Sequence, residues 1–272
     1  MKQRITNLIL ILILLIGLSL LLYPTVSNWW NSMHQSRAIA SYSEAVSLVD
    51  PAIFEDARSA AKNYNASIPN DIARFKMSDE DREIYNRTLN LAGDGIMGIL
   101  EIPALHVELP IYHGTSEAVL QVAIGHIEGS SLPIGGEGTH CALSGHRGLP
   151  SARLFTDLDQ LVVGDTFLMH VLDETLTYEV DQISIVLPHE MQDLDLAEDE
   201  DYCTLITCTP YGINTHRLLV RGRRIPTAEV KKVVRVTADA VRVDPVIVAP
   251  ILASPVLLLM LLFAVVYDPK KK

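Results

Sequence analysis

The chain has 272 residues, enough for one ample domain with appendages. A formal charge of −11, from 22 Lys and Arg against 33 Asp and Glu, argues against a nucleic-acid surface, which needs clustered basic charge. Three cysteines, Cys141, Cys203 and Cys208, are an odd number, so an exported chain keeps at least one thiol unpaired or intermolecular.

Hydrophobic residues make up 49% of the chain and concentrate at its two ends. Lys2 and Arg4, in a short tail over residues 1–7, precede an uncharged run over residues 8–23, at the short limit of a helical membrane span. A cleaved signal peptide has a similar layout. No A-x-A-like site follows, however, and Trp29 and Trp30 suit a membrane interface, so a retained signal anchor is the preferred reading.

Residues 24–90 read as an extracellular helical region, rich in Ala, Glu, Asp and Arg from Ser32 onward. Ser43 and Asp50-Pro51 mark helix starts or boundaries, and SDEDREIYNRTLNLAG (78–93) has an N-cap serine, early acids and a closing glycine. Such a stretch serves as a stalk or a cover. A solvated helical spacer behind an anchor is the simpler expectation.

From Gly95 the pattern changes to short runs rich in Val, Ile, Leu, Thr and Tyr, punctuated by Gly, Pro, Asn and Asp. With one helical-looking insert, SARLFTDLDQL (151–161), these predict an all-β barrel or sandwich over residues 91–226. A charged linker, 227–244, leads to a second uncharged run, 245–267, long enough to span, and a Lys-rich tail, 268–272. The basic residues at both ends place both termini in the cytoplasm and the domain between them outside. Basic residues such as Arg221, Arg223 and Lys231 fall on the outer side, where long translocated domains tolerate them.

Strand parity separates the cysteines. In residues 201–208, Thr204, Ile206 and Cys208 share one face and Cys203 and Leu205 the other, so a Cys203–Cys208 disulfide within one strand is disfavoured. In THCALSGH, His140, Ala142, Ser144 and His146 share a face opposite Cys141. Cys141 and Cys203 read as small core residues, with a bridge between them left open. Cys208 instead ends a strand at the turn Thr209-Pro210-Tyr211-Gly212, where reactive groups are displayed. A thiol attacks as thiolate and needs a proton acceptor or a nearby cation. His146 also ends a strand at a turn, and Arg217 follows the Cys208 turn on the face of Thr215, Leu219 and Arg221. Nucleophile, acid/base and anion stabiliser are thus on hand for acyl transfer. His216 points to the other face, Ser144 lacks a nucleophile elbow, and the other histidines show no metal-ligand spacing. IGGEGTH is a turn and not a phosphate loop.

TLITC resembles the T-L-x-T-C signature of sortases, the cysteine transpeptidases of Gram-positive cell envelopes. GIMGILEIPALHVELPIYHGT, GHIEGSSLPIGGEGTHCALSGHRGLPSARLFTDLDQLVVGD and TLITCTPYGINTHRLLVRGRRI resemble the pilus-building class C branch, over residues 91–225. A second span also fits class C. The resemblance implies a closed β-barrel with Cys208 as nucleophile, His146 as acid/base and Arg217 as catalytic arginine. It implies no cofactor, and as partners LPxTG-like sorting signals on pilins or surface proteins and a pilin lysine as amine acceptor. Anchoring to peptidoglycan, or a non-catalytic membrane-tethered assembly role with a structural Cys208, are the alternatives. Class C members usually carry a lid with an Asp-Pro-aromatic tripeptide after a Tyr-Asn pair. Here Tyr64-Asn65 is followed by ASIPNDIARFKM, without that tripeptide. The expectation is a lid that is absent or altered, with Asp71 and Phe75 as its residues if one is present.

Overall fold

A computed structural model describes residues 2–227, 253–257 and 259–260. The linker beyond Thr227 and most of the expected second span lie outside the described residues; 253–257 and 259–260 are helical. The chain divides into two units, residues 1–31 with 235–272, and Ser32–Val234.

The described start of the first unit belongs to helix α1 (Lys2–Leu48). Among the described residues this is the one helix long and apolar enough to cross a membrane. It continues past Tyr23 and through Pro24, so Ser43 lies inside it and starts nothing. Residues 34–49 contain no Gly or Pro to break the helix, which stops only before Asp50-Pro51.

In the second unit, Asp50 caps α2 (Pro51–Ser67) by accepting from Ala52 N at 2.9 Å. Ser78 Oγ accepts from Asp81 N at 3.1 Å and opens α3 (Asp79–Arg87); α4 (Glu117–Leu120) is a single turn. These helices are no solvated spacer, which corrects the expectation above. Phe54, Ala61 and Tyr64 recur on one face of α2, and with Tyr85 and Leu89 they join the main hydrophobic core. Tyr42 of α1 is 2% exposed and packs with Ile96 and Ile99; its hydroxyl donates to Met97 O (3.2 Å) and accepts from Leu172 N (2.9 Å).

Eight strands close into a barrel, which decides between barrel and sandwich: β1 (Ile96–Ile102), β2 (Val107–His113), β3 (Ile124–His126), β4 (Thr139–Ser144), β5 (Thr166–Val171), β6 (Glu174–Val186), β7 (Asp201–Thr209) and β8 (His216–Ile225). Their order around the barrel is β1-β2-β3-β4-β7-β8-β6-β5. The β2–β3 and β4–β7 pairs are parallel and the others antiparallel. Leu100, Leu143, Phe167, Tyr178, Leu205 and Val220 are fully buried in the core. The expected helix over 151–161 reduces to one 3-10 turn, Leu158–Gln160. Leu154 takes a positive φ of 36°, which interrupts any helix, while Leu154, Phe155, Leu158 and Leu161 are all buried. The apolar spacing there serves a core plug.

Candidate active site

Strand β7 lies between β4 and β8, and their registers determine what stands beside Cys208. In the antiparallel β7–β8 ladder Cys208 pairs directly with Arg217 and Ile206 with Leu219. In the parallel β4–β7 ladder Ser144 pairs with Ile206. The ladder ends there, with His146 two residues beyond Ser144 and Cys208 two residues beyond Ile206. Gly145 N donates to Ile206 O at 3.0 Å and Thr207 Oγ1 donates to Gly145 O at 2.7 Å, holding the two chains together beyond the last ladder pair. Cys208 and Arg217 are thus direct partners on adjacent strands, and His146 follows the end of the strand on the other side of β7.

Cys208 and Arg217 alternate with Thr207 and Leu218 and so share the outer face with Ile206 and Leu219. Cys141, Leu143, Cys203 and Leu205 belong to the main core, whereas Ala142, Ile206 and Leu219 form a separate cluster on the opposite side. Cys208, His146 and Arg217 are half-buried. Arg217 Nη1 donates to His216 O (3.1 Å) and Asn214 O (3.3 Å), so the guanidinium is held against its own turn. His216 pairs with Thr209, one step further along the ladder.

Below the Cys208–Arg217 pair the floor continues through Ser144, Ile206 and Leu219, and then Ala142, Thr204 and Arg221. Arg221 is fixed by Asp181, at 2.7 and 3.1 Å, and lies over the Tyr202 ring; the Asp181 bonds push its guanidinium above the ordinary value. His140 is 2% exposed, with Nδ1 at 3.0 Å from Asp195 O and Nε2 at 2.7 Å from Thr204 Oγ1. Burial pulls its pKa down to about 4, so it stays neutral and structural.

A strap between α2 and α3 crosses this floor. Asp71 Oδ1 accepts from Ala73 N at 2.7 Å and caps a short 3-10 helix, Ile72–Phe75. Phe75 packs against the Ala142, Leu194, Ile206 and Leu219 cluster. Asn70 exchanges two bonds of 3.3 Å with the backbone of Leu196, and the buried Arg74 donates to Leu194 O. The strap is therefore tied to the β6–β7 connection. Gly129, at φ 85°, makes the close pass possible: a Cβ there would stand 2.2 Å from Arg74 O.

Cys141 and Cys203 pair across β4 and β7, both buried, and all three cysteines are free thiols. Burial drives the Cys203 thiol well above its ordinary range, and its Sγ rests 3.7 Å from Met169 Sδ. Among the described residues no cluster of His, Cys, Asp and Glu has the makings of a metal site. Of the three residues expected from the sequence, Cys208 and Arg217 are paired across β7 and β8 and His146 follows the end of β4; Asn70, Arg74 and Gly129, whose partners are distant in the chain, were not foreseen.

A half-buried cysteine at a strand end, paired with an arginine across the ladder and with a histidine past the end of the neighbouring strand, suits cysteine acyl transfer. Residues 100–225 match the Sortase domain family. Sortase C1 from Streptococcus agalactiae is 51% identical, the match covering 70% of this chain and 98% of that one with a TM-score of 0.65. A lid mutant of Sortase A from Corynebacterium diphtheriae is 40% identical, over 65% of this chain and 96% of that one, TM-score 0.61. Sortase D of Bacillus subtilis is 31% identical over 131 residues, which is 47% of this chain and 63% of that protein's length. The chain belongs to the sortase family, cysteine transpeptidases, in its class C branch.

Proposed function

We propose that the chain is a membrane-anchored sortase that joins pilin subunits, cleaving an LPxTG-like signal between Thr and Gly and passing the acyl group to a pilin lysine. The observation that supports this is the direct pairing of Cys208 with Arg217 on β7 and β8, with His146 just past the end of the neighbouring β4. The Cys208 sulfur attacks the Thr carbonyl carbon, and the electron pair displaced onto oxygen is met by the fixed, always-charged Arg217 fork. Collapse of that oxyanion breaks the C–N bond, with His146 giving a proton to the leaving glycine amine, and leaves a thioester on Cys208. The lysine amine then attacks the thioester and yields its proton to His146. The C–S bond breaks and the thiolate returns. Nothing in this sequence needs a cofactor.

Asp71 and Phe75 belong to a lid in this reading, an altered one built as a strap without the Asp-Pro-aromatic tripeptide. Its support is the packing of Phe75 on the floor beside Ile206, two residues before Cys208. The lid named for the Corynebacterium diphtheriae relative is in keeping with it. The anchor is α1, with the domain outside the membrane and residues 245–267 as a second span returning the C-terminus to the cytoplasm. The test is to incubate the detergent-solubilised chain with an LPxTG-bearing pilin and follow products by mass. Ladders of linked subunits are expected. Transfer only to a peptidoglycan-type amine would favour cell-wall anchoring, and absence of any transfer would favour the non-catalytic assembly role.

A further inference from the structure

We propose that Arg147 is a positioning residue that sets His146 against Cys208; the inference rests on the reading of these two as the reacting pair. Cys208 is held on a strand, but His146 lies just past the end of β4, where ladder bonds no longer fix it. Backbone bonds at Gly145 and His146 hold it locally, and the next residue ties the same loop to more distant parts.

Arg147 points the opposite way from His146, and its side chain is 5% exposed. One arm, Nη2, meets Asp159 Oδ2 at 2.6 Å. The other, Nη1, donates to Thr209 Oγ1 at 3.3 Å, on the residue that follows Cys208. A single planar fork therefore joins three pieces: the His146 loop, the core plug around 158–160, and the end of β7. Tyr211, in the turn beyond, lies over the guanidinium with its ring 5.9 Å away. The surroundings are tight on every side. Phe155 N donates to His146 O (3.1 Å) and Gly148 N to Thr156 Oγ1 (3.2 Å). A Cβ at Gly145 would meet Phe155 at 2.7 Å, and one at Gly148 would meet Tyr211 at 2.9 Å. The histidine loop is thus seated on the same plug and turn that Arg147 ties to the nucleophile strand. Nε is buried without a partner, so the guanidinium depends on the two bonds its terminal arms make, and keeping both of them restricts where residue 146 sits.

Such a role predicts a loss in the chemical step with little loss in peptide binding, because Arg147 touches neither the floor nor the strap. The experiment uses the full chain in detergent, an LPxTG-type peptide and an amine, with active sites counted by thiol titration and folding followed by thermal unfolding. Arg147→Gln is expected to lower kcat per active site at least about tenfold while peptide KM stays within about threefold, since small misplacement of a reacting group is costly. Arg147→Lys keeps the charge against Asp159 but not the fork, and recovers part of the loss. Asp159→Asn, which leaves the arginine in place, is expected to lower kcat about threefold or more at constant KM, and it decides the matter where Arg147→Gln does not fold. Arg223→Gln, on the remote pair with Glu200, serves as the unaffected control. Unchanged kcat in the folded variants, or a fall matched by an equal rise in KM, would overturn the positioning role. A wild-type chain no more active than Cys208→Ala would instead overturn the cysteine assignment, and the positioning role with it.

Discussion

His140 lies on β4 and His146 just past its end, and their surroundings give them different parts. His146 is half-buried at an open strand end, while His140 is closed in by Asp195 O and Thr204 Oγ1, with Arg221, Arg74 and Asp181 as the nearest charged groups. Burial takes its pKa from 6.5 to about 4, so the unfolded chain binds a proton at a pH where the folded chain does not. Its contribution to stability is complete above about pH 6.5 and is lost as the pH falls toward 4, by about 3 kcal/mol in all. His140→Gln should flatten this acid limb, read as urea midpoints from pH 7 to 4; curves that stay parallel to wild type would contradict it. Opposite Cys208, Arg217→Lys is expected to lower transfer about a hundredfold, because an ammonium cannot reproduce the fork at the oxyanion. Retention of more than half the wild-type rate would remove Arg217 from that role.

The strap is the element whose behaviour separates a cover from mere packing. Asn70→Ala removes both bonds to Leu196, worth about 1–3 kcal/mol together, so opening should become roughly 5- to 100-fold more frequent. Cys208 should then react that much faster with a bulky maleimide; an unchanged alkylation rate would mean the strap does not guard the sulfur. At this scale the legible and the illegible parts of the sequence also divide. Period-two alternation and turn residues gave the strands, and parity within each run set Cys208 apart from Cys203 and His146 apart from Cys141. The N-caps at Asp50 and Ser78 were likewise visible, because capping is local chemistry. The strap was not, since Arg74 finds its acceptor 120 residues away, and no local pattern encodes that meeting. For the same reason the 151–161 segment passed for a helix: its apolar spacing reports burial, and the positive φ at Leu154 is invisible in the letters. Arg147 stood in plain view beside His146, but only the fold shows that it reaches Asp159 and Thr209.

As a whole, the second unit is a barrel that depends on the helices laid against it. Tyr85 of α3 is fully buried, accepts from Gly114 N at 2.8 Å, and contacts His126 Nδ1 at 3.0 Å. Tyr85→Phe leaves the Gly114 amide without that acceptor and should cost about 1–3 kcal/mol in denaturant unfolding; a change below about 0.5 kcal/mol would show that the contact carries no weight. Deleting the helices removes Phe54, Ala61, Tyr64 and Tyr85 from the core together, so the region read as a spacer is part of the folding unit. In the proposed function the barrel serves to hold one sulfur, that of Cys208, within reach of His146 and Arg217. The most direct measurement of that claim is to expose the solubilised chain to an LPxTG-type peptide without an amine, quench in acid, and map the adduct by peptide mass spectrometry. An acyl group on Cys208, absent in Cys208→Ala and greatly reduced in His146→Gln, is the predicted result. An adduct on Cys141 or Cys203, or none at all in a chain whose Cys208 is freely alkylated, would contradict it.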